Sequence, residues 1–172
     1  MSHLSTRKAS EKEQKIIDDI LCLYQLKPSE QAYSHYAQNA VFHDPVSIAQ
    51  GLDSIKSQFN GMPKIFSESN TQKCEVLDEP SQPNSIVLNL TQQYVFKSSL
   101  NPFSSKEPDK VVNSKISLKF NHEGLIEKHD EEWDHEPNPT GEDGFIGKMK
   151  EWRKKTSAKV VEKTVSSDPS KV

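Results

Sequence analysis

Two stretches of alternation set the first limit on what this chain can fold into. Ile86, Leu88, Leu90, Tyr94 and Phe96 alternate with more polar residues, and so do Val112, Ser114, Ile116, Leu118 and Phe120. Successive side chains of a strand point to opposite faces, so each stretch predicts a strand with one face on a core. The Ser-, Pro- and Lys-rich segment Ser98 to Lys110 between them reads as a hairpin loop longer than the usual length of about two to five residues. Asn121-His122-Glu123-Gly124 is a tighter turn signal, so the strand ending at Phe120 should pair antiparallel with one starting at Leu125. Ile65 to Asp78 predicts a further strand, followed by the loop Glu79-Pro80-Ser81-Gln82-Pro83.

The chain before these strands has a different period. Ser10 and Glu13 form a capping box, after which Ile17, Ile20, Leu21 and Tyr24 recur at helical spacing until Pro28. Pro28 suits the first turn of a second helix carrying Ala32, Tyr33 and Tyr36, and Pro45 stops the extended run that follows. Gly51 opens a third helix with Leu52, Ile55 and Phe59 on one side, ended by Gly61 and Pro63. Helices first and then a curved antiparallel sheet is an α+β arrangement. After a break over Pro137 to Gly144, Phe145, Ile146, Met149 and Trp152 return to helical spacing and predict a C-terminal docking helix.

The expected organisation is a disordered terminus over 1–10, one α+β domain over 11–135, a linker and docking helix over 136–155, and a disordered tail over 156–172. A chain of 172 residues has room for one core, and its hydrophobic fraction of 33% is low because both ends are rich in Lys, Glu and Ser. A net charge of −3 gives no global attraction for nucleic acid or an anionic membrane. Trp152-Arg153-Lys154-Lys155 is the one short basic run, read first as a helix C-terminus complementing its dipole. Cys22 and Cys74 have no metal or redox spacing, the first residues lack the apolar core of a secretory signal, and no segment is apolar enough to span a bilayer. A cytoplasmic protein is expected, with the nucleus open as a second compartment, and neither nucleic acid nor membrane as partner.

In the run from Leu125 to Asp134, strand alternation puts Leu125, Glu127, His129, Glu131 and Trp133 on one face and Ile126, Lys128, Asp130, Glu132 and Asp134 on the other. The first set, with its tryptophan and a histidine suited to acid–base work near neutral pH, is expected to face inward. His129 and His135 would lie roughly 20 Å apart on a straight strand, so a shared metal is not expected. Nucleophile-elbow, phosphate-loop and zinc-protease motifs are absent from the sequence.

The order of these segments resembles a known superfamily. Ala40-Val41-Phe42-His43-Asp44-Pro45 followed by Gly51, and Gly124-Leu125-Ile126 followed by His129 and Glu132-Trp133-Asp134, resemble the opening and closing strands of the nuclear transport factor 2-like superfamily, particularly its polyketide-cyclase-like branch. The resemblance spans about Glu11 to Asp134, and the stretch Glu142 to Lys148 with Trp152 resembles extensions on fungal members. It implies a cone-shaped sheet with three N-terminal helices and a pocket, but no single reaction, since isomerases, dehydratases, cyclases and non-catalytic binding modules share the fold.

What the resemblance implies for chemistry is a pocket holding His129 and Glu131 near His43 or Asp44, lined by Tyr33, Tyr36, Phe59, Tyr94, Phe120 and Trp133. A carboxylate or imidazole would remove a proton beside a carbonyl while a tyrosine hydroxyl stabilises the enolate, with no organic cofactor and an unknown small molecule as substrate. Plainer readings stand beside each. Asp44 before Pro45 suits a strand end whose carboxylate satisfies turn amides, His129 suits a hydrogen-bonded core histidine, and Trp133, Tyr33 and Tyr36 suit core packing. The alternative function is an interaction module. Related cones often dimerise through the sheet, so a second copy is expected over outward residues such as Val87 and Val95.

Overall fold

A computed structural model describes residues 4–98 and 110–133, together with Lys150 and Lys154. The chain divides into two compact units, Met1–Asp134 and His135–Val172, and every element named here belongs to the first. Residues 99–109 of the expected hairpin loop, the proposed docking helix with Phe145, Ile146, Met149 and Trp152, His135 and the tail lie outside the described residues.

Helix α1, Glu11–Tyr24, starts on the expected capping box: the Glu13 amide donates to Ser10 Oγ at 3.2 Å and the Ser10 amide to Glu13 Oε2 at 2.8 Å. It buries Ile16, Ile17, Ile20, Leu23 and Tyr24. Residues 5–8, assigned by composition to a disordered terminus, are pinned ahead of it. Thr6 bridges Leu77, the Arg7 amide donates to Val76 O at 2.9 Å, and the Arg7 guanidinium grips Glu13 at 2.7 Å. The otherwise open edge of a strand supplies these bonds, which composition does not register.

The second helix is a single turn, α2, Glu30–Tyr33, capped by Ser29. Tyr36 does not continue it. The Ile126 amide donates to His35 O at 2.7 Å and captures the chain into a parallel ladder, so Tyr36 begins β1, Tyr36–Asp44. A short β2, Ser47–Gln50, folds back antiparallel on β1. Gly51, at φ 88° and ψ 154°, turns into α3, Leu52–Gly61, whose Leu52, Ile55 and Phe59 are buried. A 3₁₀ turn, Met62–Lys64, then leads to β3, Phe66–Leu77, β4, Ser85–Phe96, β5, Lys110–Phe120, and β6, Ile126–Trp133.

These strands form one curved, unclosed sheet in the order β2-β1-β6-β5-β4-β3, the α+β cone expected, antiparallel throughout except for the β1–β6 pair. Its inner face carries the core: Leu88, Leu90, Ile116 and Leu118 are buried there. Burial of such side chains is worth about 1.5–3 kcal/mol each.

Two expectations about faces are corrected. On β6, Ile126 is buried while Glu127 pairs with Lys119 at 3.5 Å, the reverse of simple alternation. The register moves from Lys119↔Lys128 to Phe120↔Ile126, so a bulge at Glu127 swallows one residue and flips everything before it, leaving Leu125 half-buried. From His129 onward the expected parity holds. On β4, Val87 is buried within this chain, flanked in register by Leu77 and Ser117, and so does not wait for a second copy to cover it. Val95 is half-buried.

Candidate functional site

The inward parity of β6 places His129, Glu131 and Trp133 on the concave side, with His129 0% and Glu131 9% exposed. Two tyrosines from the helical front half reach the histidine from opposite sides. Tyr36, at the start of β1, lies with its hydroxyl 2.8 Å from His129 Nδ1; Tyr24, at the end of α1, lies 3.0 Å from Nε2. The Tyr24 hydroxyl also donates to Glu131 Oε2 at 2.8 Å, and the Trp133 indole donates to Glu131 Oε1 at 2.7 Å. Phe42 meets the imidazole edge-on at 4.8 Å between centroids, and Phe59 stacks on it at 6.3 Å.

Counting hydrogens gives this chain a direction. A phenol has one hydrogen, and Tyr24 spends it on the Glu131 carboxylate. Its oxygen must then accept from His129, so Nε2 carries the imidazole proton and Nδ1 is left to accept from Tyr36. The sequence of donation is Tyr36 to His129 to Tyr24 to Glu131, with Trp133 closing on the other carboxylate oxygen. Burial explains why the imidazole stays neutral: desolvation pulls its pKa from 6.5 down to about 3. Burial, followed by the Glu131 charge, drives the Tyr24 hydroxyl well above the ordinary phenol range, and Tyr36 rises mainly by burial. Both phenols are therefore neutral donors at any physiological pH.

The other expected site residues fall elsewhere. The parallel register pairs Phe42 with His129 and His43 with Asp130, so parity turns His43 to the outer face. There its side chain is 56% exposed and 3.8 Å from Asp130. Asp44 is buried at the turn between β1 and β2, where its Oδ1 accepts from the Val46 and Ser47 amides at 2.9 Å each, the turn role that competed with catalysis. Tyr33 ties α2 to α3 by donating to Asn60 Oδ1 at 2.6 Å. Tyr94 is buried on β4 against Phe66, with ring centroids 4.7 Å apart. Phe120 pairs with Ile126 while Trp133 pairs with Ser114, so roughly 20 Å of strand separates Phe120 from Trp133. Phe59 reaches the site as expected, packed on Tyr24, Phe42 and His129.

Tyr24 is the functional group that the sequence does not announce. It reads as one more apolar position of α1, and its signal is a hydroxyl on the buried stripe of an amphipathic helix. Among the described residues no group of three His, Cys, Asp or Glu side chains is arranged to hold a metal ion, and no helix is long and apolar enough to cross a membrane.

No protein-family model matches the chain, and no curated protein does. Solved structures do. A proposed isomerase of the SnoaL-like family from Agrobacterium tumefaciens superposes with a TM-score of 0.53 at 15% identity, covering 73% of this chain and 100% of that one. A proposed SnoaL-like polyketide cyclase from Shewanella putrefaciens gives 0.53 at 12% identity, covering 74% and 92%. A protein with a ketosteroid isomerase-like fold from Catenulispora acidiphila, solved in complex with trimethylamine, gives 0.51 at 9% identity, covering 67% and 82%. At such identities the likeness is one of fold, an α+β cone consistent with the nuclear transport factor 2-like one.

Proposed function

We propose that the protein binds a small organic molecule in its cone and moves a proton on it without an organic cofactor, as an isomerase, dehydratase or cyclase of the polyketide-cyclase-like kind. The observation that carries this reading is the buried Glu131 carboxylate, reached by the directed chain and held on both oxygens, among the described residues, by Tyr24 and Trp133. Such holding fixes a base in place before substrate arrives. In the proposed step Glu131 takes a proton from a carbon beside a carbonyl, the electron pair moves into the enolate, and the carboxyl returns the proton at another position. His129, neutral and fully buried, touches no substrate; it holds Tyr24 in the orientation that serves Glu131. The fold shared with proposed isomerases and cyclases supports the same class of chemistry.

One observation favours a second reading, a non-catalytic interaction module: Phe42 and Phe59 close on His129, as they would in a cone whose inner end is simply core. A cytoplasmic or nuclear location and a homodimer through the outer sheet face belong to this proposal as well.

The deciding experiment is native mass spectrometry of the purified protein for a copurifying small molecule, followed by incubation of that molecule with protein in deuterium oxide. The proposal expects wild-type protein to exchange one carbon-bound hydrogen and Glu131→Gln to bind the molecule without exchanging it. Exchange unaltered by Glu131→Gln, or the lack of any bound molecule, would leave the interaction module.

A further inference from the structure

Tyr24 is the last residue of α1, and among the described residues its hydroxyl is the one that joins His129 to Glu131. Something must hold that end of the helix. The last four carbonyls of a helix have no intrahelical partner. Here the Gln25 amide takes Leu21 O and the Lys27 amide takes Cys22 O, at 2.9 Å each, while Leu26 at φ 64° turns the chain away. The Tyr24 carbonyl is left pointing at the inner face of the sheet.

A polar cluster meets it there, among the apolar residues Phe66, Leu90 and Phe96 of β3 and β4. Ser69 Oγ donates to Tyr24 O at 2.7 Å, and Gln92 Nε2 donates to Ser69 Oγ at 2.7 Å and reaches Tyr24 O at 3.5 Å. Behind them Thr71 donates to Gln92 Oε1 at 2.8 Å and accepts from Gln25 Nε2 at 2.9 Å, tying the cluster back to the residue after Tyr24. A plain helix cap would need one hydroxyl. This cluster commits a second side chain, 1% exposed, to fixing the first, and a third to fixing the second. Its effect is to remove rotational freedom at one point, the Tyr24 backbone.

We infer that Ser69 and Gln92 are positioning residues, which lock the end of α1 so that the Tyr24 hydroxyl stays within hydrogen-bond reach of both His129 and Glu131. The purpose of this lock rests on the role proposed for Glu131; its geometry does not. Carbonyl and hydroxyl are the two ends of one stiff residue, so a small swing at the carbonyl is carried to bonds of 3.0 and 2.8 Å that tolerate only a few tenths of an ångström.

The test reads the His129 ring in the full chain, labelled with nitrogen-15 histidine, by NMR. In the wild type one ring nitrogen should show as protonated and the other as an acceptor, marking the single Nε2–H tautomer. Ser69→Ala and Gln92→Leu should turn that unequal pair into a tautomer-averaged one, and Ser69→Thr, which keeps the hydroxyl, should restore it. Should Ser69→Ala fail to fold, Thr71→Val, acting only through Gln92 and Gln25, should still give a partly averaged pair. Folded variants with the wild-type pair of resonances would overturn the inference. Since this reading needs no ligand, its failure is separate from failure of the deuterium exchange that tests Glu131.

Discussion

Replacing Tyr24 by Phe removes one oxygen and keeps the ring, which packs edge-on against Phe59 at 5.5 Å. Two bonds go with that oxygen, 3.0 Å to His129 and 2.8 Å to Glu131. The first loss leaves a fully buried Nε2–H without an acceptor, costing about 1–3 kcal/mol; the second takes a charge-assisted donor from Glu131, about 1.5–3 kcal/mol. Against these stands the phenol's own desolvation, no longer incurred in the variant. The net expectation is a loss of about 2–4 kcal/mol, a drop in Tm on the order of 10 °C for a domain of this size. Urea unfolding followed by far-UV circular dichroism measures it, and an unchanged m-value shows that only stability moved. His129 has one escape, a switch to the Nδ1–H tautomer that donates to Tyr36. A cycle with Tyr36→Phe should therefore be non-additive by about 0.5–3 kcal/mol, since both phenols act through one imidazole. A loss under about 0.5 kcal/mol in Tyr24→Phe, or strict additivity in the cycle, would mean that the two phenols do not act through His129.

Three further outcomes follow from the same structure. Asp44→Ala should cost about 1–3 kcal/mol by orphaning turn amides, while Asp44→Asn should retain most of that stability because an amide oxygen still accepts from Val46 and Ser47; thermal melts separate the two. Gly51→Ala should cost about 1–3 kcal/mol with no steric clash, since an added Cβ would come no closer than 3.7 Å to Gln38 O and the whole penalty lies in a backbone region reserved for glycine, as chemical denaturation would show. Stability should fall on acidification. His129 is depressed from 6.5 to about 3 by burial, and Glu13 from 4.5 to about 2 by its hydrogen bond with Arg7. Between each folded and unfolded value the unfolded chain binds the extra proton, so stability is complete above pH 6.5 and is lost towards pH 3, at up to about 1.4 kcal/mol per pH unit from His129 alone. Urea midpoints measured from pH 8 to pH 4 check this, and a flat profile from 6.5 to 5 would contradict it.

Alternation was enough to find β4, β5 and the inward face of His129, Glu131 and Trp133, because burial on one side of a sheet writes its period into the chain. It could not reveal what stands opposite. Tyr24 and His129 are 105 residues apart, and nothing local marks their meeting. The parallel β1–β6 register, which sets Phe42 rather than His43 against His129, is likewise a long-range fact. The bulge at Glu127 has no signature in a charged strand, so the inward assignment of Leu125 and Glu127 failed one step before the assignment of His129 succeeded. Asp44 was legible as a turn residue from the proline beside it, and that plainer chemistry is the one its oxygen performs. Ser69 and Gln92 escaped because polar side chains in a strand ordinarily read as solvent-facing.

At the centre of the site is a neutral imidazole held in one tautomer between two phenols. A pH titration of the His129 ring nitrogens by NMR reads that state without any ligand. A neutral ring is expected, with the proton on Nε2 and Nδ1 as acceptor, and no titration from pH 8 down to 5, in keeping with a pKa of about 3. A ring that titrates near its ordinary value of 6.5, or that averages its two tautomers at neutral pH, would contradict it.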